Sequence, residues 1–571
     1  MDRRVDRRYF LEYMGRLTAS AAAGVALTPR GAAATRAVFP GNTTLPDPSA
    51  IRATDLWDLT LTESAALIRS REISPVELVE AYLARIEAFD EVLMAFNTVT
   101  ADAARAEARR AADLPWSGPL HGIPLAIKDN YYTAGVLTTA NSHIFRDFVP
   151  EFDATTWGRL KNGGAILLGK TQMGPLATSR ATTPDGANTT LNAWAPHDPS
   201  VTPGGSSSGS ATAVAARLAA SATGTQTGGS ITSPSSEQGL TGIKPTMGRA
   251  SLYGIVPLTY TRDHPGPLAR DARDAAVMLQ AMAGPDPADP RTLGHPPVGD
   301  YVRAAEPVTE NGKVRLRRPL TVGVVPGYLD EPEEPTRFGR EEVSDQERDR
   351  RLAIFRARGR AEIAARRAML RTFEELGARV VEVPLPADWD LLTGSDFNNV
   401  RLPERSEPFL KHLREDVRLF GVSLSPWING LLLSGPEYLR GQRAKMVLLQ
   451  RVLDGIFEEC DVVVQTSPIP FDIIGLPLIA FPVGMEDTRG FTLPVAGMLG
   501  GAPWEEEALL SLVGAYQAVT DWHRRRAPDA PSGRGDGAGD PGGAAAGASF
   551  AAGASLDRGR TGVQDVAEHS E

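Results

Sequence analysis

The segment 202–246 constrains this chain more than any other. It holds two glycine-serine blocks, Pro203-Gly204-Gly205-Ser206-Ser207-Ser208-Gly209-Ser210 and Gly224-Thr225-Gln226-Thr227-Gly228-Gly229-Ser230-Ile231, and closes on Gly242-Ile243-Lys244-Pro245-Thr246. A glycine-serine run is ordinarily a flexible linker. Here apolar segments flank both blocks closely, among them a run of small residues over 211–220 that reads as a helix. The blocks are therefore built into a core. Glycine pairs before Ser206 and before Ser230 permit backbone conformations closed to other residues. They also let a substrate reach the main chain, where successive N–H groups can hold the oxyanion formed in acyl transfer.

Helix and strand signals alternate around this segment. Ser74-Pro75-Val76-Glu77 is a capping box with proline at the first helical position, and Val76, Val79, Leu83 and Ile86 recur at helical spacing. The apolar run 123–127 reads as a buried strand, 154–163 as a helix and 165–168 as the next strand. A helix over 361–376 ends at Gly377 and leads into a strand over 379–383, while the acidic stretch 330–351 reads as a surface excursion. This alternation predicts an α/β fold, a single large domain whose mixed central β-sheet is covered on both faces by helices.

Composition narrows the function. A formal net charge of −10 without any Lys/Arg block argues against a nucleic-acid partner. Cys460 is the only cysteine, so neither an intramolecular disulfide nor a cysteine-based metal site can form. No segment offers the ~18 apolar residues of a stable membrane span. The N-terminus reads differently. Asp6-Arg7-Arg8-Tyr9-Phe10-Leu11, an Ala-rich stretch from Leu17 to Leu27 and Ala32-Ala33-Ala34 make a basic region, a short apolar region and a cleavage site. This resembles a twin-arginine export signal over 1–34. It predicts an exported protein that begins near Thr35, which N-terminal sequencing of exported material reads directly. The folded domain spans 45–527. The Gly/Ala-rich tail 528–571, with Phe550 its one aromatic, cannot bury enough apolar area to offset its ordering entropy and is expected to be disordered.

Lys128 ends the apolar strand 123–127, on the face shared by Pro124 and Ala126. A lysine held there is desolvated, tends toward neutrality and can act as a base, unless it simply marks the strand's exit into solvent. Only seven of the 60 basic residues are lysines, and arginine cannot supply a neutral base. Gly205-Ser206-Ser207-Ser208-Gly209 also fits the G-x-S-x-G nucleophile elbow, with His264, His295, His412 and His523 downstream. That elbow needs a strand directly before it, and Ala195-Pro196-His197-Asp198-Pro199 is not one.

Together the two blocks, the Lys128 strand and the Gly-Ile-Lys-Pro-Thr ending resemble the amidase signature family. The segments around Asp153, Gly164 to Thr171, Asp263-His264-Pro265-Gly266-Pro267, Gly475-Leu476-Pro477 and Trp522-His523 extend the likeness, which is nearest in style to the peptide-amidase-like branch. The resemblance implies a Ser–cis-Ser–Lys triad: Ser230 as nucleophile, Ser206 as proton bridge and Lys128 as base. It implies an oxyanion hole from the backbone N–H groups of Thr227, Gly228, Gly229 and Ser230. It implies hydrolysis of a small-molecule or peptide amide to an acid and ammonia or amine, no metal or organic cofactor, and a homodimer as a common assembly. Lys170 and Lys244 fall in matched segments and are expected to serve structure.

The chain departs from the family at several positions. Thr232 and Ser233 stand where some members carry an arginine that grips a substrate carboxylate, which predicts an uncharged or apolar acyl group. Gln226 replaces a common aspartate, and Pro175-Leu176-Ala177 replaces a common Glu-Phe-Ala. The stretch between Ser467-Pro468 and Gly475 is short, which points to an opened pocket or a damaged one. Two other readings stand beside the amidase. One is the amidotransferase component that supplies ammonia to misacylated tRNA, and the other is a catalytically silent binding protein on the same fold.

Overall fold

The computed structural model describes residue 39 and residues 43–335, 344–488 and 490–531. The expected export segment 1–34, and the tail beyond residue 531, lie outside them.

Among the described residues, eleven strands form one mixed sheet, and a short hairpin pairs Val308–Glu310 (β7) with Lys313–Arg315 (β8). The eleven are Phe96–Val99 (β1), Pro124–Lys128 (β2), Ile166–Thr171 (β3), Ser221–Gln226 (β4), Thr241–Lys244 (β5), His264–Ala269 (β6), Thr321–Val324 (β9), Arg379–Glu382 (β10), Val462–Val464 (β11), Leu478–Thr488 (β12) and Phe491–Gly501 (β13). Their order is β1-β3-β2-β4-β6-β5-β12-β13-β11-β9-β10. β2 runs parallel to both β3 and β4, whereas β4–β6, β5–β6 and β12–β13 are antiparallel. Helices flank the sheet and bury its apolar side chains. Pro75–Leu93 packs with Ile123, Leu125 and Ile127 in one cluster, and Glu506–Val519 packs with Ile479, Phe481 and Leu499 in another. No helix among the described residues is long and apolar enough to cross a membrane.

Local rules account for most element ends. The capping box closes as expected, with Glu77 N donating to Ser74 Oγ (3.2 Å) and Ser74 N donating to Glu77 Oε2 (2.8 Å). Three expectations shift. The helix of the first glycine-serine block runs Ser208–Ala215, not over 211–220, because Arg217 turns left-handed (φ 61°) and β4 must begin at Ser221 to pair with β2. The helix expected from 361 begins at Asp345. Ser344 caps it, Asp345 and Glu347 face its positive N-terminus, and Arg351 pairs with Glu347 at 2.7 Å. Its first residues, 345–351, are polar all round, so apolar periodicity cannot reveal where it starts. The tail also starts later than residue 528: Asp529 pairs with Arg85 at 2.7 Å, and Ala530 joins the core.

Of the seven lysines, Lys128, Lys170 and Lys244 have no exposed surface. Lys170, on β3, lies 3.3 Å from Asp129 Oδ1 and donates to Tyr131 O (2.7 Å) and Thr138 Oγ1 (2.6 Å). Burial pulls its pKa down to about 8 against the pull of Asp129. Removing one partner of such a pair strands the other charge, so Lys170→Met is expected to cost about 3–5 kcal/mol of stability in chemical denaturation.

Candidate active site

Because β2 and β4 are parallel, their C-terminal ends meet at one edge of the sheet. Lys128 ends β2, and Gln226 ends β4 just before the second glycine-serine loop. Lys128 N donates to Thr223 Oγ1 (3.1 Å) and fixes the register. The Lys128 amine donates to Thr225 Oγ1 (2.8 Å) and to Thr225 O (3.3 Å), and lies 2.9 Å from Ser206 Oγ. Among the described residues no carboxylate pairs with it. Burial drives its pKa well below the usual lysine value, and the charge of Asp263 only partly opposes the shift. Lys244 has the same burial but sits 3.6 Å from Asp472 Oδ1, and its pKa falls to about 8. The three lysines with no exposed surface thus divide into two held by acids and one held by hydroxyls and a carbonyl.

Ser206 is 1% exposed and follows a cis peptide bond from Gly205. A side chain on Gly205 would collide with the backbone of Ser179 and Arg180, so close approach of that segment requires glycine there. The two glycine-serine blocks also pack together, since a Cβ on Gly224 would lie 2.9 Å from Ser207 Oγ. Ser207 Oγ contacts Thr225 O at 3.5 Å and no histidine, and residues 202–204 are not a strand. The elbow reading therefore has neither its strand nor its histidine.

Ser230 is 7% exposed, two residues after exposed Gly228 and two residues before helix Thr232–Gln238. Gly229 adopts φ +92°, which a side-chain-bearing residue rarely takes. The loop is held from two sides. Thr227 Oγ1 donates to Asp263 Oδ1 at 2.5 Å, and Asp263 Oδ2 accepts from Leu258 N (2.8 Å) and Thr259 N (3.0 Å). On the other side Gln226 Nε2 donates to Asp472 Oδ1 (2.8 Å), while Gln226 Oε1 accepts from Ile231 N (2.8 Å) and Thr232 N (2.9 Å).

Asp472 is the residue that sequence reasoning missed. Its Oδ2 accepts from Gly229 N at 2.8 Å. One of the four N–H groups expected in the oxyanion hole is therefore already engaged. Those of Gly228 and Ser230 have no acceptor among the described residues. The short stretch after Pro468 is itself an ordered element. It forms helix Ile469–Ile474, which carries Asp472 beneath the loop and sets Ile469 against Gly228. Burial raises the Asp472 pKa, opposed by Lys244, Gln226, Arg262 and Gly229. A signal was present, since a lone aspartate inside Ile-Pro-Phe-Asp-Ile-Ile demands a buried partner.

Residues 77–468 match the family described as Amidase. The A-type subunit of the glutamyl-tRNA(Gln) amidotransferase of Roseiflexus sp. (strain RS-1) is 34% identical over 512 residues, spanning 83% of this chain and 99% of that protein. Its counterpart in Methylococcus capsulatus (strain Bath) is 34% identical over 503 residues, spanning 82% and 98%. The native peptide amidase of Stenotrophomonas maltophilia is similar in structure, with a TM-score of 0.66 at 28% identity over 83% of this chain and 98% of that one. Matched by the family over well over half its length and by these relatives over most of it, the chain belongs to the amidase family, enzymes of the amide C–N bond.

Proposed function

We propose that this protein hydrolyses a carboxylic amide through an acyl-enzyme on Ser230. The observation that carries the reading is the buried Lys128 amine, 2.9 Å from Ser206 Oγ and unpaired with any carboxylate among the described residues. In this reading neutral Lys128 takes a proton from Ser206 as Ser206 takes one from Ser230. Ser230 Oγ attacks the amide carbonyl, and the N–H groups of Gly228 and Ser230 hold the oxyanion. The C–N bond breaks as Ser206 returns a proton to the leaving amine, and water then releases the acid. The substrate is a small amide or a peptide amide, and the twin-arginine-like segment containing Arg7 and Arg8 makes the enzyme an exported one.

A second reading is an amidotransferase A-type subunit, favoured by the 34% identity to proteins of that name. Such a protein works with partner chains, so co-purification of partners from the native host separates the two readings.

A fluorophosphonate is expected to label the wild type and to leave folded Ser230→Ala unlabelled. Labelling of Ser230→Ala would assign the nucleophile elsewhere. Turnover should fall on the order of 10⁴-fold or more in Ser230→Ala. Lys128→Ala should lose about 10²–10⁴-fold, with a milder loss in Ser206→Ala.

The loop geometry makes a separate prediction. Asp472→Asn should lower kcat by about 10²-fold through misplacement of Gly229 and Ser230. Adding Gln226→Asp restores one acid and one amide to the pair, so the double variant should recover most of that loss. Additive losses in this double-mutant cycle would show that Gln226 and Asp472 act independently.

A further inference from the structure

Residues 261–263 join the nucleophile loop to a set of short helices. Asp263 holds Thr227. Its neighbours reach the other way. Thr261 N and Oγ1 donate to Glu404 (2.7 and 2.9 Å), Lys445 Nζ donates to Thr261 O (2.8 Å), and Arg262 Nη1 donates to Asn398 Oδ1 (2.6 Å). Arg401 donates to the Asn398 carbonyl, and Arg405 follows one turn later in helix Leu402–Ser406.

This junction holds more positive than negative charge. Arg262 and Arg405 are 3% and 8% exposed, and Arg401 is half-buried. None of the three forms an ion pair among the described residues. Glu404, the nearest acid in sequence, is filled by neutral donors: Thr261, Tyr438 OH at 3.0 Å and Gln442 Nε2 at 3.2 Å. Arg405 is the barest. It has no hydrogen-bond acceptor among the described residues, its Nε is fully buried, and its guanidinium lies 5.9 Å from the Trp427 ring centre. The charges acting on it are Asp263, which favours the cation, and Arg262, which opposes it.

A guanidinium brings five N–H donors in a planar fork that fits a carboxylate, and burying it without an anion is costly. We propose that Arg405, with Arg262 and Arg401 beside it, forms a subsite for a carboxylate carried by the amide substrate. The proposal rests on the hydrolase reading above and names its substrate class. It replaces the expectation of an uncharged acyl group, which considered only Thr232 and Ser233 next to the nucleophile. The arginine comes instead from residues far along the chain.

The test uses the full-length enzyme and two pairs of amides. In the first pair a dicarboxylic half-amide is set against the alkyl amide of equal length, so the carboxylate lies on the acyl side. In the second an N-acyl amino acid is set against the matching N-acyl alkylamine, so it lies on the amine side. Wild type is expected to favour the carboxylate member of one pair by at least about tenfold in kcat/KM. Arg405→Gln should abolish that preference mainly through KM, and Arg405→Lys should keep part of it. Free glutarate should compete with a neutral amide in wild type and more weakly in Arg405→Gln. If Arg405→Gln does not melt cooperatively, the half-buried Arg401→Gln takes its place. Turnover of neutral amides with no carboxylate preference, or a preference unchanged in the folded variants, overturns the subsite alone. Absence of neutral-amide turnover together with absence of Ser230 labelling overturns the hydrolase reading and the subsite with it.

Discussion

A primary amine sealed from water must either find an acid or give up its proton. That constraint organises this protein. Lys170 and Lys244 find Asp129 and Asp472, remain ion-paired and tie β3 and β5 to the segments around them. Lys128 finds only hydroxyls and a carbonyl. The sheet makes this possible. Two parallel strands bring Lys128 and Thr225 to one edge, and the glycine-bound turn at Ser206 fills the space between. Arginine at 128 would keep its charge and could not serve.

The nucleophile loop depends on a second device. Where the sequence resemblance leads one to expect an aspartate before Thr-Gly-Gly-Ser, this chain has Gln226. The acid beside this loop is Asp472, on a helix 246 residues away. Gln226 gathers the N–H groups of Ile231 and Thr232 with its carbonyl, while its amide and Gly229 N bind the Asp472 carboxylate. The charge on Asp472 is in turn met by Lys244. One of the structural lysines therefore supports the loop that bears Ser230, so structure and site share a single electrostatic network.

Much of this was legible in the sequence for definite reasons. Caps, glycines and strand ends are local, so helix Pro75–Leu93, strand Pro124–Lys128 and the two glycine-serine blocks were readable directly. Lys128 stood out because it ends an apolar run inside a segment that resembles the family; the run alone left an exit into solvent open, and the resemblance pointed to the base. Asp472, the Asp263–Thr227 bond and the Arg262–Arg401–Arg405 group were not legible. Each depends on segments brought together only by the fold, and none has a local period. The helix from Asp345 escaped because its first turns are stabilised by charge pairs and a serine cap, not by a buried face.

The central claim is that Lys128 is neutral in the folded protein at working pH. Its folded pKa is depressed, so the native state binds fewer protons than the unfolded chain below the ordinary lysine value. The neutral base is thus available far below that value. The rate of Ser230 labelling by a fluorophosphonate, followed against pH in the wild type, reads this directly. The account predicts a labelling rate that reaches its plateau well below the usual lysine range. A rate that keeps climbing until about pH 10 would show an ordinary, charged Lys128 and would contradict it.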